Sequence, residues 1–141
     1  MRIATRLSLL LGLCAFAFSS VLAADTKDLK STPQAKAYDA VLKAVNAGDY
    51  EAYKKAMTKE SGKKMDQQMK EMKMDPKKGM EFLKAMSPAD LKYTDLKVDG
   101  KKATLKATAK VGGDPNNKGT IELEQEDGQW KIATQSWTNT K

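Results

Sequence analysis

Two periodicities divide the chain. Between residues 33 and 88 apolar residues recur every three to four positions, and from residue 91 onward they alternate. Tyr38, Val41, Leu42 and Val45 form one stripe of an amphipathic helix, opened by Thr32-Pro33 with Thr as N-cap and Pro in the first turn. Gly48 stops that helix, and Asp49 caps a second one bearing Tyr50, Tyr53 and Met57. A third helix is predicted over residues 61–74, starting at Ser61-Gly62. Asp75-Pro76 repeats the cap-then-proline signal and opens a fourth, with Met80, Leu83 and Met86, which Ser87-Pro88 closes.

The second half predicts four strands. Leu91 to Val98 runs into a two-residue turn at Asp99-Gly100. The next strand sets Ala103, Leu105, Ala107, Ala109 and Val111 on one face against lysines and threonines on the other. Residues 112–119, rich in Gly, Pro and Asn, read as a longer loop; no helix follows, so it is no phosphate cradle. The third strand buries Ile121 and Leu123 and exposes Glu122, Glu124 and Glu126, and a turn at Asp127-Gly128 leads into Trp130 to Trp137. Strict alternation puts the two tryptophans, seven apart, on opposite faces unless a bulge intervenes. Lysines of the second strand should meet glutamates of the third across the ladder. The expected fold is α+β: N-terminal helices packed on a curved four-stranded antiparallel sheet.

Two of these segments carry a family likeness. The run Val45 to Tyr53, with its Gly48-Asp49 corner, resembles the corner between helices in the nuclear-transport-factor-like and SnoaL-like superfamily. Glu126 to Ile132, an acidic-Gly turn followed by Trp130-Lys131-Ile132, is similar to its final hairpin. The resemblance spans roughly residues 33–138, and the chain is similar in particular to an exported bacterial branch of unknown function. It implies a sheet wrapped around helices as a cone, an apolar pocket at the open end, and dimerisation through the sheet. SnoaL-like isomerases and hydrolases use acidic residues, Tyr or His inside the cone; no acidic residue here matches a catalytic position, and the chain has no His.

The N-terminus reads as an export signal. Arg2 and Arg6 precede an apolar stretch from Leu7 to Phe18, too short to span a bilayer, and Val21-Leu22-Ala23 sets small residues for cleavage between Ala23 and Ala24. Lipidation at Cys14 is disfavoured by the bulky Leu13 before it. The expected organisation is a signal peptide over 1–23, a flexible leader over 24–32 and one domain over 33–141, periplasmic or secreted, with no membrane-spanning segment once the signal is removed.

Cleavage would remove the one Cys and both arginines, leaving 23 lysines against 18 acidic residues and no His, Cys or Arg. That excludes a disulfide framework, His or Cys metal centres and His-dependent nucleophilic catalysis. Bidentate phosphate recognition is excluded too and, without interleaved exposed aromatics, so is a nucleic-acid partner. No catalytic residue and no cofactor is assigned. Asp39 and Asp49 are a weak carboxylate pair, because Asp49 already serves as a cap.

Two features remain. Seven of the eight methionines fall between residues 57 and 86. Met65, Met69 and Met72 share one helical stripe and, with Tyr53 and Trp130, are the expected lining of an apolar ligand pocket. The alternative is a Cu(I) site at Met69, Met72 and Met74, thioethers being soft ligands. The lysines concentrate over the same segment, and Lys63, Lys64, Lys70, Lys73, Lys77 and Lys78 form a basic surface that suits an anionic partner. The reading is a small exported binding module, its partner an apolar ligand, a second copy or an anionic surface.

Overall fold

The computed structural model describes residues 28–140. The expected signal peptide, its Ala23–Ala24 junction and the first residues of the leader lie outside the described residues. The element order is a 3-10 turn at Leu29–Ser31, α1 Pro33–Ala47, α2 Tyr50–Ala56, α3 Lys59–Glu71, α4 Pro76–Ala85, then β1 Ala89–Asp99, β2 Lys102–Val111, β3 Asp114–Glu126 and β4 Gln129–Asn139. The strands form one antiparallel meander in the order β1-β2-β3-β4, as the change of period predicts. None of the described helices is long and apolar enough to cross a membrane.

The helix ends show why the chain turns where it does. Thr32 Oγ1 accepts from the Ala35 N–H at 3.2 Å, and the Asp49 carboxylate accepts from the Ala52 N–H at 3.0 Å. Between them Gly48, at φ +69°, lets the Asp49 N–H reach the Ala44 carbonyl and its own N–H reach that of Val45, a Schellman closure. The third helix starts earlier than predicted. Thr58, not Ser61, is its N-cap, accepting from the Ser61 N–H at 3.2 Å, and the Glu126 carboxylate takes the Lys59 N–H at 3.1 Å, where the helix dipole favours a negative charge.

That helix also ends sooner, at Glu71. Lys73 takes the left-handed conformation at φ +50°; the Met74 N–H bonds the Met69 carbonyl and the Lys73 N–H that of Lys70. This is the same Schellman closure with Lys in the place where Gly is usual. It folds Met74 back toward Met69.

One hairpin is tighter than the sequence suggests and another is shifted by a residue. Gly112-Gly113, both at positive φ, form a two-residue turn, and β3 begins at Asp114 instead of after Gly119. Pro115 is accommodated by a bulge: Val111 faces Asp114 and Ala109 faces Asn117, so β3 carries the extra residue. The first hairpin turns at Gly100-Lys101, one residue later than predicted, with Asp99 paired to Lys102. The last turns at Asp127-Gly128 as predicted, both residues having positive φ.

A second bulge decides the geometry of the site. Glu122 faces Thr134 but Leu123 faces Ile132, so Ala133 is an extra residue in β4. Its carbonyl accepts from Ser61 Oγ at 2.5 Å, and the Ile132 carbonyl accepts from the Thr58 N–H at 2.9 Å, so the α2–α3 junction covers part of the β4 edge. The bulge also resets the alternation. Trp130 pairs with Gln125 and Trp137 with Gly119, positions six apart in β3, so both tryptophans face the helices.

The core lies between α1 and the inner face of the sheet. Tyr38, Val41 and Val45 pack in one cluster with Leu105, Ile121, Leu123 and Ile132, all buried. Leu29, in the expected flexible leader, is 0 % exposed and belongs to that cluster, so the domain begins before residue 33. The methionine stripe of α3 does not close the sheet: in α3 only Gly62 is buried, Met65 packs partly against the core, and Met72 is 66 % exposed. That stripe carries only methionine on an otherwise polar helix, while α1 already fills the inner face.

Candidate functional site

The helices and the sheet diverge at one end, leaving a cleft of about 490 Å³. Its apolar walls come from Val41, Leu42 and Val45 of α1 and Leu83 of α4, with Met86 and Pro88 just beyond. Trp137 of β4 lies on the sheet side. Polar groups are few: Tyr53, Ser87, Asp114, Asn117, Gln135 and Asn139.

Trp137 is placed by what it lacks opposite. A Cβ added to Gly119 would lie 2.6 Å from the indole ring, so the ring covers bare backbone across the ladder. Gly119→Ala must push the ring outward and is expected to cost about 1–3 kcal/mol of stability, with a shift in Trp137 emission. Urea unfolding followed by fluorescence checks this; an unchanged midpoint and spectrum would contradict it. The indole lies beside the Tyr38 hydroxyl. That hydroxyl donates to Gln135 Oε1 at 2.7 Å, a hydrogen bond that ties α1 to β4.

Burial raises the pKa of both tyrosines here, Tyr38 and Tyr53, so their hydroxyls stay protonated and can donate hydrogen bonds. The carboxylate of Asp114 is built into the strand end: it accepts from the Asn116 N–H at 2.9 Å and from Asn139 Nδ2 at 2.5 Å. Among the described residues, Tyr53 and Asp114 are the only ionisable groups lining the cleft.

The predicted lining is brought together only in part. Tyr53 borders the mouth cleft and, with Met65, a groove of about 600 Å³ beside β4. Met65, Met69, Met72 and Met74 line a different cavity, about 160 Å³, between α3 and α4. Trp130 lies apart from both, against Pro33, Ala37, Ala40 and Ala56. The expected five-residue pocket of Tyr53, Met65, Met69, Met72 and Trp130 is therefore not one site. Helical spacing identified a real methionine face, but α3 meets the β4 edge through its N-terminal end, which carries that face past the sheet mouth. Val41 and Leu42, which the periodicity places in the stripe of α1, line the mouth cleft together with Trp137.

The weak carboxylate pair also separates. Asp49 caps α2, while Asp39 accepts from the Tyr93 hydroxyl at 2.6 Å. All six lysines of the predicted basic surface are exposed. Lys64 pairs with Glu60 at 2.7 Å, and Lys78 approaches Asp75 at 3.9 Å. On the outer sheet face only part of the Lys–Glu ladder forms. Lys102 meets Glu124 at 3.5 Å, whereas Lys106 and Lys110 turn to Asp95 and Asp90 of β1.

One polar cluster gave no sequence signal because its members lie on different helices. Tyr50 donates a short hydrogen bond to Asp66, Lys54 Nζ donates to the other carboxylate oxygen at 2.8 Å, and the ammonium sits 5.5 Å from the Tyr50 ring centre. It clamps α3 to α2. Lys54, then Tyr50, lowers the Asp66 pKa, while burial and then Asp66 push the Tyr50 hydroxyl up to about 12. Because the folded-state pKa of Asp66 is below its unfolded value of about 3.9, the clamp stabilises above that pH and is lost as pH falls through the lowered value. Urea midpoints of wild type and Asp66→Asn should differ at neutral pH and converge well below about pH 4; a gap independent of pH would contradict the clamp.

No protein-family model and no characterised protein matches this chain.

Proposed function

We propose that this protein is an exported, non-enzymatic binding domain that takes a small apolar molecule into the cleft between α1, α4 and the inner sheet face. The observation that carries the proposal is the cleft itself. Its 490 Å³ falls within the roughly 300–1,000 Å³ typical of small-molecule sites, and it joins apolar walls to a few polar groups that can orient a ligand. The nuclear-transport-factor-like resemblance, which implies an apolar pocket in such a domain, supports the same reading. The protonated Tyr53 hydroxyl and an Asp114 engaged in the strand end favour binding over proton abstraction. The charged pairs on the outer sheet face favour a solvated surface over a dimer contact there.

The test uses Trp130→Phe, which leaves Trp137 as the only tryptophan. Titration with the neutral dye N-phenyl-1-naphthylamine should give saturable one-to-one binding that changes Trp137 emission. Leu42→Lys, which sets a charge on the half-buried α1 wall, should weaken it about tenfold or more. Failure of the dye to bind, or binding that leaves Trp137 emission and the Leu42→Lys affinity unchanged, would sink the reading.

A further inference from the structure

The cavity between α3 and α4 has a different chemistry from the cleft and shares only Leu83 with it. We propose that it is a binding site for a soft monovalent cation, Cu(I), held by the thioethers of Met69 and Met74 with Met72 closing the solvent side.

Three observations converge on this assignment. The first is what brings the sulfurs together. In a straight helix Met74 would point away from Met69, but the left-handed Lys73 closes α3 so that the Met74 N–H bonds the Met69 carbonyl at 2.9 Å. That closure characteristically sets the side chains of these two positions in contact. The second is Gly79, buried in α4. A Cβ placed there would stand 2.8 Å from Met69 Cε, 3.4 Å from Met69 Sδ and 3.9 Å from Met74 Sδ, so both sulfurs gather over one bare patch of backbone. Met65, Met72 and Met80 border the same cavity.

The third observation is the size and lining. At about 160 Å³ the cavity lies below the range of drug-sized ligand sites, and its lining, more than its volume, selects the occupant. Its polar side chains are Gln68 and Tyr50, and the Tyr50 hydroxyl is already spent on Asp66. Hard cations need oxygen ligands, and zinc sites are built from thiolate, imidazole and carboxylate. Neutral thioethers select Cu(I), or Ag(I) as its redox-inert stand-in. The surrounding lysines penalise a divalent ion more than a monovalent one. With Met72 66 % exposed, an ion can enter without unfolding the domain.

The test is an anaerobic competition against the coloured Cu(I) chelator bathocuproine disulfonate. Wild type should withdraw one Cu(I) per chain. Met69→Leu/Met74→Leu, which keeps volume and apolarity, should lower the affinity about tenfold or more. Met57→Leu, outside this cavity, should leave it unchanged. X-ray absorption of the loaded wild type, which needs no variant to fold, should show a sulfur-only shell. No uptake by wild type, undiminished uptake by the double variant, or a shell containing nitrogen or oxygen ligands would each overturn the proposal. None of these readouts depends on the mouth cleft.

Discussion

Leu29→Ala is expected to lower the unfolding free energy by about 2–5 kcal/mol, a large share of the roughly 5–15 kcal/mol that holds a domain of this size together. Leu29 is 0 % exposed and sits in the same cluster as Ala35, Tyr38 and Tyr93. The turn that carries it is anchored at both ends: Ser31 N–H bonds the Asp28 carbonyl at 3.0 Å, and Thr32 Oγ1 donates to the Leu29 carbonyl at 2.7 Å. Removing the isobutyl group leaves a cavity between α1 and β1 that neither element can fill without giving up its own contacts. Urea unfolding with an unchanged m-value would read the loss as a lower midpoint. A change under about 0.5 kcal/mol, the size typical of surface substitutions, would return residues 28–32 to the loose leader that their polarity suggests.

Tyr38 should show two separable effects. Tyr38→Ala is expected to cost about 3–5 kcal/mol, because the ring is fully buried between α1 and the sheet. Tyr38→Phe keeps the ring and removes only the hydroxyl, leaving the Gln135 amide oxygen without that partner. Leaving a buried group unpaired costs about 1–3 kcal/mol; here Gln135 is exposed and water replaces part of the loss, which points to the lower half of that range. A double-mutant cycle with Gln135→Ala should give a positive coupling, since one hydrogen bond is common to both single changes. The tyrosine pKa is raised by burial, so the hydroxyl stays protonated and this coupling should be flat across neutral and mildly alkaline pH. Additive costs would mean that the Tyr38–Gln135 hydrogen bond contributes nothing to stability.

How much of this was legible depended on whether the signal was local. The caps at Thr32, Asp49 and Asp75, the Gly48 corner and the Asp127-Gly128 turn were readable because each is decided within a few residues. The strand alternation of β2 was readable for the same reason. What failed was set by distant partners. Thr58 caps α3 next to the β4 edge, to which its own N–H is bonded. Pro115 argued for a loop, yet a bulge lets it stand in β3 at a level beyond the β4 pairing. The facing of the tryptophans turned on one extra residue, Ala133, whose carbonyl is satisfied by Ser61 from another element. The methionine stripe was read correctly as a face but assigned to the wrong cavity, because α3 docks on the sheet edge and not over its mouth.

The claim on which the functional account stands is that the cleft walled by α1, α4 and β4 is where an apolar ligand binds. Mapping amide chemical-shift changes on titration with N-phenyl-1-naphthylamine tests it most directly. The account predicts shifts concentrated at residues 41–45, at 83–88 and around Trp137. Shifts confined to the α3–α4 helices or to the outer sheet face, or no shifts at all, would contradict it.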